Sequence, residues 1–308
     1  MASKGNDTLP GPIAGPHDRW SAWRDFPGPQ RQRVGGYVAL VALVVLFFIQ
    51  PLVRLMLHAA QNPLHSHIPL VPLIAGYLLY VQRRPRVAGY RTSIGGAMSL
   101  VSIGVAALAA GIWWRGSLSV NDALALEALA FVSFVAAGGF LFLGSRWIVA
   151  AAFPISFLIF MVPMPDAVAN ELEIASMKAS ADVAAWLLTI TGTPLLRDGQ
   201  VFALPGVVLE VAQECSGIRS SWVLFITSLL ASHLLLRGPW RRIVLVAFVI
   251  PLGIVRNGFR ILVIGLMCVY IGPHMIDSLI HRHGGPLFFV LSLGPLFLFL
   301  LWLRRQEQ

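Results

Sequence analysis

Apolar stretches long enough to cross the ~30 Å hydrocarbon core of a bilayer recur along most of this chain, and they constrain its fold more than any motif does. They predict helices at about Gly36–Leu57, Ile68–Val81, Ile94–Trp114, Ala123–Gly144, Trp147–Val162, Ile218–Leu236, Ile243–Ile271 and Pro286–Leu303. The second and fifth are short for a crossing. The seventh is too long for one and is interrupted by Arg256-Asn257-Gly258-Phe259-Arg260, so a single crossing with a kink or unwound turn is expected there. Hydrophobic residues make up 57% and charged residues 12% of the 308 positions, where a soluble domain carries about 25% charge. A chain this apolar cannot cover a water-facing surface, so the lipid bilayer is its solvent. The expected fold is an all-α polytopic membrane protein with about eight transmembrane helices, seven or nine if helix ends shift.

The formal charge of +9 reflects 23 Lys+Arg against 14 Asp+Glu. A basic balance can signal nucleic acid, but these arginines sit between apolar runs and not in one patch, so no nucleic-acid partner is expected. Arg31 and Arg33 precede the first helix, and Arg83, Arg84, Arg86 and Arg91 follow the second. Arg146 follows the fourth, Arg237, Arg241 and Arg242 the sixth, and Arg304 and Arg305 the eighth. With eight crossings all fall on one side, which the positive-inside rule makes cytoplasmic. Both termini are then inside, as in a cell (inner) membrane protein. Residues 1–33 are rich in Pro, Gly and charge, show no cleavable signal peptide, and read as a flexible cytoplasmic tail. Residues 34–305 read as one transmembrane domain whose long outer segment is 163–215.

That segment has its own pattern. Asp166–Thr191 places Val168, Leu172, Ala175, Val183, Trp186, Leu187 and Ile190 among Glu171, Glu173, Lys178 and Asp182, which suits an amphipathic helix lying on the membrane surface. After Gly192-Thr193-Pro194, the run Gln200–Leu204, the turn Pro205-Gly206 and Val207–Ala212 predict a small β-hairpin. The hairpin leads to Glu214-Cys215-Ser216-Gly217 at the outer mouth of the sixth helix.

Cys215 sits where a loop becomes a helix, so the helix dipole and free backbone N–H groups favour its thiolate and offer donors for an oxyanion. A small residue in a tight turn is the plainer reading. Arg256 and Arg260 are four apart on one helix face. Counting from Ile243, Arg260 lies about 25 Å across the membrane, at the depth of Cys215. An arginine there implies a polar cavity or partner, though snorkelling or pairing with Asp277 or Glu214 would also serve. His281 and His283 lie in the last outer loop, where a neutral imidazole can take a thiol proton and return it to a leaving amine. The other cysteine, Cys268, lies in an apolar run as a packed thiol. A disulfide to Cys215 would join a loop tip to a membrane helix and is not expected.

In order, Gly199–Val211, then Glu214-Cys215-Ser216-Gly217-Ile218-Arg219-Ser220, then Asn257-Gly258-Phe259-Arg260, then His281 ahead of Gly285 and Phe288, resemble the exosortase/archaeosortase family of membrane transpeptidases. The resemblance runs from about Ser66 to Leu303 and includes His67–Leu79. It implies cleavage of secreted proteins that end in a short motif (Pro-Glu-Pro in many cases), an apolar helix and a basic cluster. Cys215 would be the nucleophile that forms a thioester, Arg260 would stabilise the thiolate or oxyanion, and His281 would be the general acid/base. An acceptor amine or hydroxyl on a lipid or polysaccharide then takes the protein to a surface anchor. The Asn-x-x-Arg match favours Arg260 and the spacing to Gly285 and Phe288 favours His281. Arg256 and His283 stay open as alternatives, with Glu214, Ser216, Arg219 and Asn257 as supporting neighbours. The chemistry needs no cofactor or metal.

Two other readings compete. A transporter could use a broken seventh helix and its arginine pair to bind an anion, but it gives Cys215 no role and expects internal repeats that are not visible. A membrane acyltransferase acting on lipid-linked groups would use His and Arg without an obligatory thiol.

Overall fold

The computed structural model describes residues 28–81, 91–211, 217–277 and 285–307. Among them, six helices are long and apolar enough to cross a membrane, or up to eight if each of two broken pairs counts as one span. The chain is thus a multi-pass helical membrane protein. The described residues cluster into two compact units. One takes the chain up to Val53 with Val71–Arg115 and Leu126–Met161; the other takes Arg54–Leu70, Gly116–Ala125 and the chain from Val162 onward.

The first unit draws on α1 (Gly28–Phe47), the start of α2 (Ile49–Gln61), α3 (Leu70–Val81), α4 (Ile94–Trp113), most of α5 (Val120–Phe142), α6 (Ser145–Ala150) and α7 (Ala152–Phe157). Small residues let its helices approach. A Cβ added at Gly104 on α4 would lie 2.8 Å from the Phe134 ring of α5. Two expected helices are divided here. α1 begins at Gly28, inside the stretch read as tail, and ends at Phe47, four residues before Pro51. α6 ends at Ala150, four residues before Pro154. A proline ring collides with the carbonyl four residues back, which accounts for both breaks.

The second unit contains α8 (Asp166–Ile190), an antiparallel sheet of β1 (Leu196–Asp198), β2 (Val201–Leu204) and β3 (Val207–Glu210), α9 (Ile218–Leu235), α10 (Pro239–Tyr270) and α11 (Gly285–Arg305). β2 and β3 form the expected hairpin, with Leu204 opposite Val207, and β1 adds a strand in register Leu196↔Ala203. The unwound turn expected at 256–260 is absent: α10 is helical without interruption from Pro239 to Tyr270.

The length of α10 explains the architecture. Its 32 residues make a rod of about 48 Å, well beyond a ~30 Å core; the 18 residues of α9 make about 27 Å. The excess of α10 is covered by α8 and the sheet. Met177, Ala181, Ala184 and Leu188 of α8 pack with Phe202, Leu204 and Leu209 of the sheet and with Ile261, Leu262, Ile264 and Cys268 of α10. Gly258 makes this close, since a Cβ there would come 2.6 Å from Val183 Cγ1. α8 therefore has two apolar faces. One meets α10, while Val168, Leu172, Trp186 and Ile190 stay exposed and are available to the bilayer surface. At the other end of α10, Leu245 and Val249 pack with Leu224 of α9 and Leu296, Leu300 and Leu303 of α11.

Candidate active site

Between those two apolar clusters, α10 carries Arg256 and Asn257, 7% and 2% exposed. A guanidinium is not buried this far without donor contacts, because an unpaired one costs several kcal/mol. Arg256 Nη2 donates to the Gly217 carbonyl at 3.0 Å and to Ser221 Oγ at 3.1 Å. It thus spans from the middle of α10 to the first turn of α9. The burial excludes snorkelling to headgroups, one of the plainer readings of this side chain. Nη1 is buried as well and has no hydrogen-bond partner among the described residues. No acidic side chain forms an ion pair with Arg256 among them either.

Gly217 is the other half of this contact. Its φ of 71° lies in the left-handed region, where residues with a Cβ are strained. A Cβ there would also stand 2.9 Å from Asn257 Oδ1 and 3.1 Å from Arg256 Nη2. Glycine is required on both counts. Gly253, one turn before Arg256, meets Ser221 in the same way, with an added Cβ 2.7 Å from Ser221 Oγ. Gly217 and the segment 256–260, both singled out by sequence, are therefore joined directly, through a positive charge set against the N-terminal turn of a helix. That environment favours anions: a thiolate, an oxyanion or a substrate carboxylate.

Arg260 lies one turn further along α10 and is half-buried; Arg219 is exposed. Cys215, Glu214, Ser216, His281 and His283 lie outside the described residues. Cys268 is a free, buried thiol in the cluster under α8, as its apolar surroundings in sequence indicated.

A second polar cluster gathers ends that topology reasoning placed on the outer side. His58 Nε2 bonds Asn121 Oδ1 at 3.2 Å, and Asn121 Nδ2 donates to Met164 O and Asp166 Oδ1, each at 2.8 Å. The buried His65 ring packs on His58, with centroids 5.6 Å apart. His67 meets Trp222 of α9 edge-on at 6.5 Å. His58, His65, Asn121 and Ser221 carry no signal in the sequence that points to these contacts. A serine at the fourth position of a helix carries no distinctive signal, and the cluster assembles from four separate segments.

Fold and site together define a polytopic membrane protein with a built, cationic helix-end site. A family model for transmembrane exosortases matches residues 59–298. The chain belongs to the transmembrane exosortase family, as the ordered motifs indicated. No curated protein and no solved structure matches the chain.

Proposed function

We propose that this protein is a membrane-embedded cysteine transpeptidase that cleaves the C-terminal sorting signal of secreted proteins and transfers them to a surface anchor. The observation that carries this reading is the contact of Arg256 with Gly217, which links the residue next to the Asn257–Arg260 motif of α10 to the residue two positions after Cys215 in sequence. Membership of the family supplies the reaction class.

Cys215 is the nucleophile. Its thiolate attacks the scissile carbonyl, the amide C–N bond breaks, and His281, protonated by the thiol, gives that proton to the leaving amine. The product is a thioester on Cys215. An acceptor amine or hydroxyl then loses its proton to His281 and attacks the thioester, which releases the thiolate. Arg260, with the N–H groups that begin α9, balances negative charge on the sulfur and the tetrahedral oxygen. The substrate signal is a Pro-Glu-Pro-type motif followed by an apolar helix and a basic tail. The site faces the periplasmic side of the inner membrane and both termini are cytoplasmic, in line with the arginine distribution. The transporter reading drew on a broken seventh helix, and that helix is continuous.

The test is processing of a secreted protein that carries such a signal, in the native host. C215A is expected to abolish loss of the C-terminal tail while the variant remains inserted in the membrane. Unchanged processing by an inserted C215A protein contradicts the proposal.

A further inference from the structure

We infer that Arg256 is the positioning residue that fixes the mouth of α9, and through it the nucleophile; this inference rests on the reading of Cys215 as nucleophile. Three observations converge on it. Arg256 Nη2 holds both ends of the first turn of α9, the Gly217 carbonyl at 3.0 Å and Ser221 Oγ at 3.1 Å. Gly217 adopts a left-handed conformation, φ 71°, that is strained for any residue but glycine and is held by contact with Arg256 and Asn257. Arg256 itself is 7% exposed, packed between the two apolar clusters of α10, so its reach is set by the helix that bears it.

Chain geometry does the rest. Cys215 is two residues before Gly217, so whatever fixes the Gly217 carbonyl fixes where the chain enters α9. Both hydrogen bonds leave one nitrogen of a planar guanidinium, whose frame fixes their directions; a lysine ammonium could donate both but is a point charge on a flexible stem and holds no such direction. Arg256 also brings a positive charge to the N-terminal turn of α9, where it adds to the field of the helix dipole, a field that favours the thiolate of a cysteine at a helix N-terminus. Two consequences separate this from a purely structural role. Loss of Arg256 changes the rate of the chemical step with little change in substrate binding, and it raises the pH at which Cys215 becomes reactive.

The experiment compares wild type, R256Q, R256K and C215A in membranes. Alkylation of the Cys215 peptide by iodoacetamide is followed against pH by mass spectrometry, which keeps it separate from Cys268. Processing kinetics are measured with a peptide bearing a C-terminal sorting signal. R256Q is expected to lower kcat about 100-fold with KM nearly unchanged, the scale of a small misplacement of a catalytic group. Its alkylation midpoint is expected to move up by about one pH unit, and R256K to fall between R256Q and wild type. Should R256Q fail to insert, R256K alone decides: a wild-type kcat and a wild-type alkylation profile overturn the inference. The same result for an inserted R256Q also overturns it, provided C215A is inactive. Wild-type processing by C215A overturns the nucleophile reading itself, and this inference with it.

Discussion

At the scale of single residues, sequence flags the types of group that a reactive site would use but not their partners. Cys215, Arg260 and the paired histidines stand out because thiols, guanidiniums and imidazoles are rare between apolar runs. Ser221 does not stand out, since hydroxyls are ordinary on a helix, yet it takes one of the two hydrogen bonds from Arg256. Gly217 was legible as part of a motif; its left-handed φ and its contact with Asn257 were not. G217A is expected to destabilise the protein by about 1–2 kcal/mol from the left-handed strain alone, with displacement of Asn257 adding to it. Thermal unfolding in detergent measures this. An unchanged Tm would show that the turn relaxes freely, contrary to the picture of a locked helix mouth.

At the scale of elements, α4, α5, α9, α10 and α11 were legible because each is one long apolar run. The breaks after Phe47 and Ala150 were not read, although Pro51 and Pro154 mark them. The error had the opposite sign in α10. Arg-Asn-Gly-Phe-Arg looked like an interruption, whereas Asn257 and Gly258 serve close packing against Gly217 and Val183, and the helix runs on. β1 was missed because Leu196-Arg197-Asp198 is short, charged and exposed on every residue; its tie to α8 is the Arg197–Asp182 pair at 2.7 Å. One joint among helices could not be read from sequence at all. The carboxylate of Glu307, beyond the end of α11, accepts from Gly238 N at 2.7 Å and Arg237 N at 2.9 Å and pairs with Arg241 at 3.3 Å. Gly238 has no side-chain cap of its own, so Glu307 caps α10 from the far end of the chain. Those contacts, the Gly238 N–H first, hold the Glu307 carboxyl below its usual 4.5. A group whose pKa falls on folding adds stability above its ordinary pKa and loses it as pH drops through the folded value. Wild type is therefore expected to exceed E307Q in Tm by a constant margin at neutral pH, and the margin should close progressively below about pH 4.5. A margin that persisted at lower pH would rule out the charge as its source.

At the scale of the whole molecule, multiple spans and family membership stand together. Within the second unit, Arg237, Arg241, Arg242, Arg304 and Arg305 collect around the turn where α9 ends, α10 begins and α11 finishes. Gly217 and Arg256 meet about 26 Å further along α10, counting 17 residues from Pro239. That separation is close to the thickness of a bilayer core. The central claim is that Cys215 carries the substrate as a thioester, and one measurement addresses it most directly. The protein is mixed with a substrate bearing the C-terminal signal, quenched in acid, and its Cys215 peptide is weighed by mass spectrometry before and after hydroxylamine. The account predicts an added mass equal to the substrate without its tail, on Cys215 alone, released by hydroxylamine and missing from C215A. Tail removal in full with Cys215 never modified, under conditions that trap a thioester on a known cysteine transpeptidase, would contradict it.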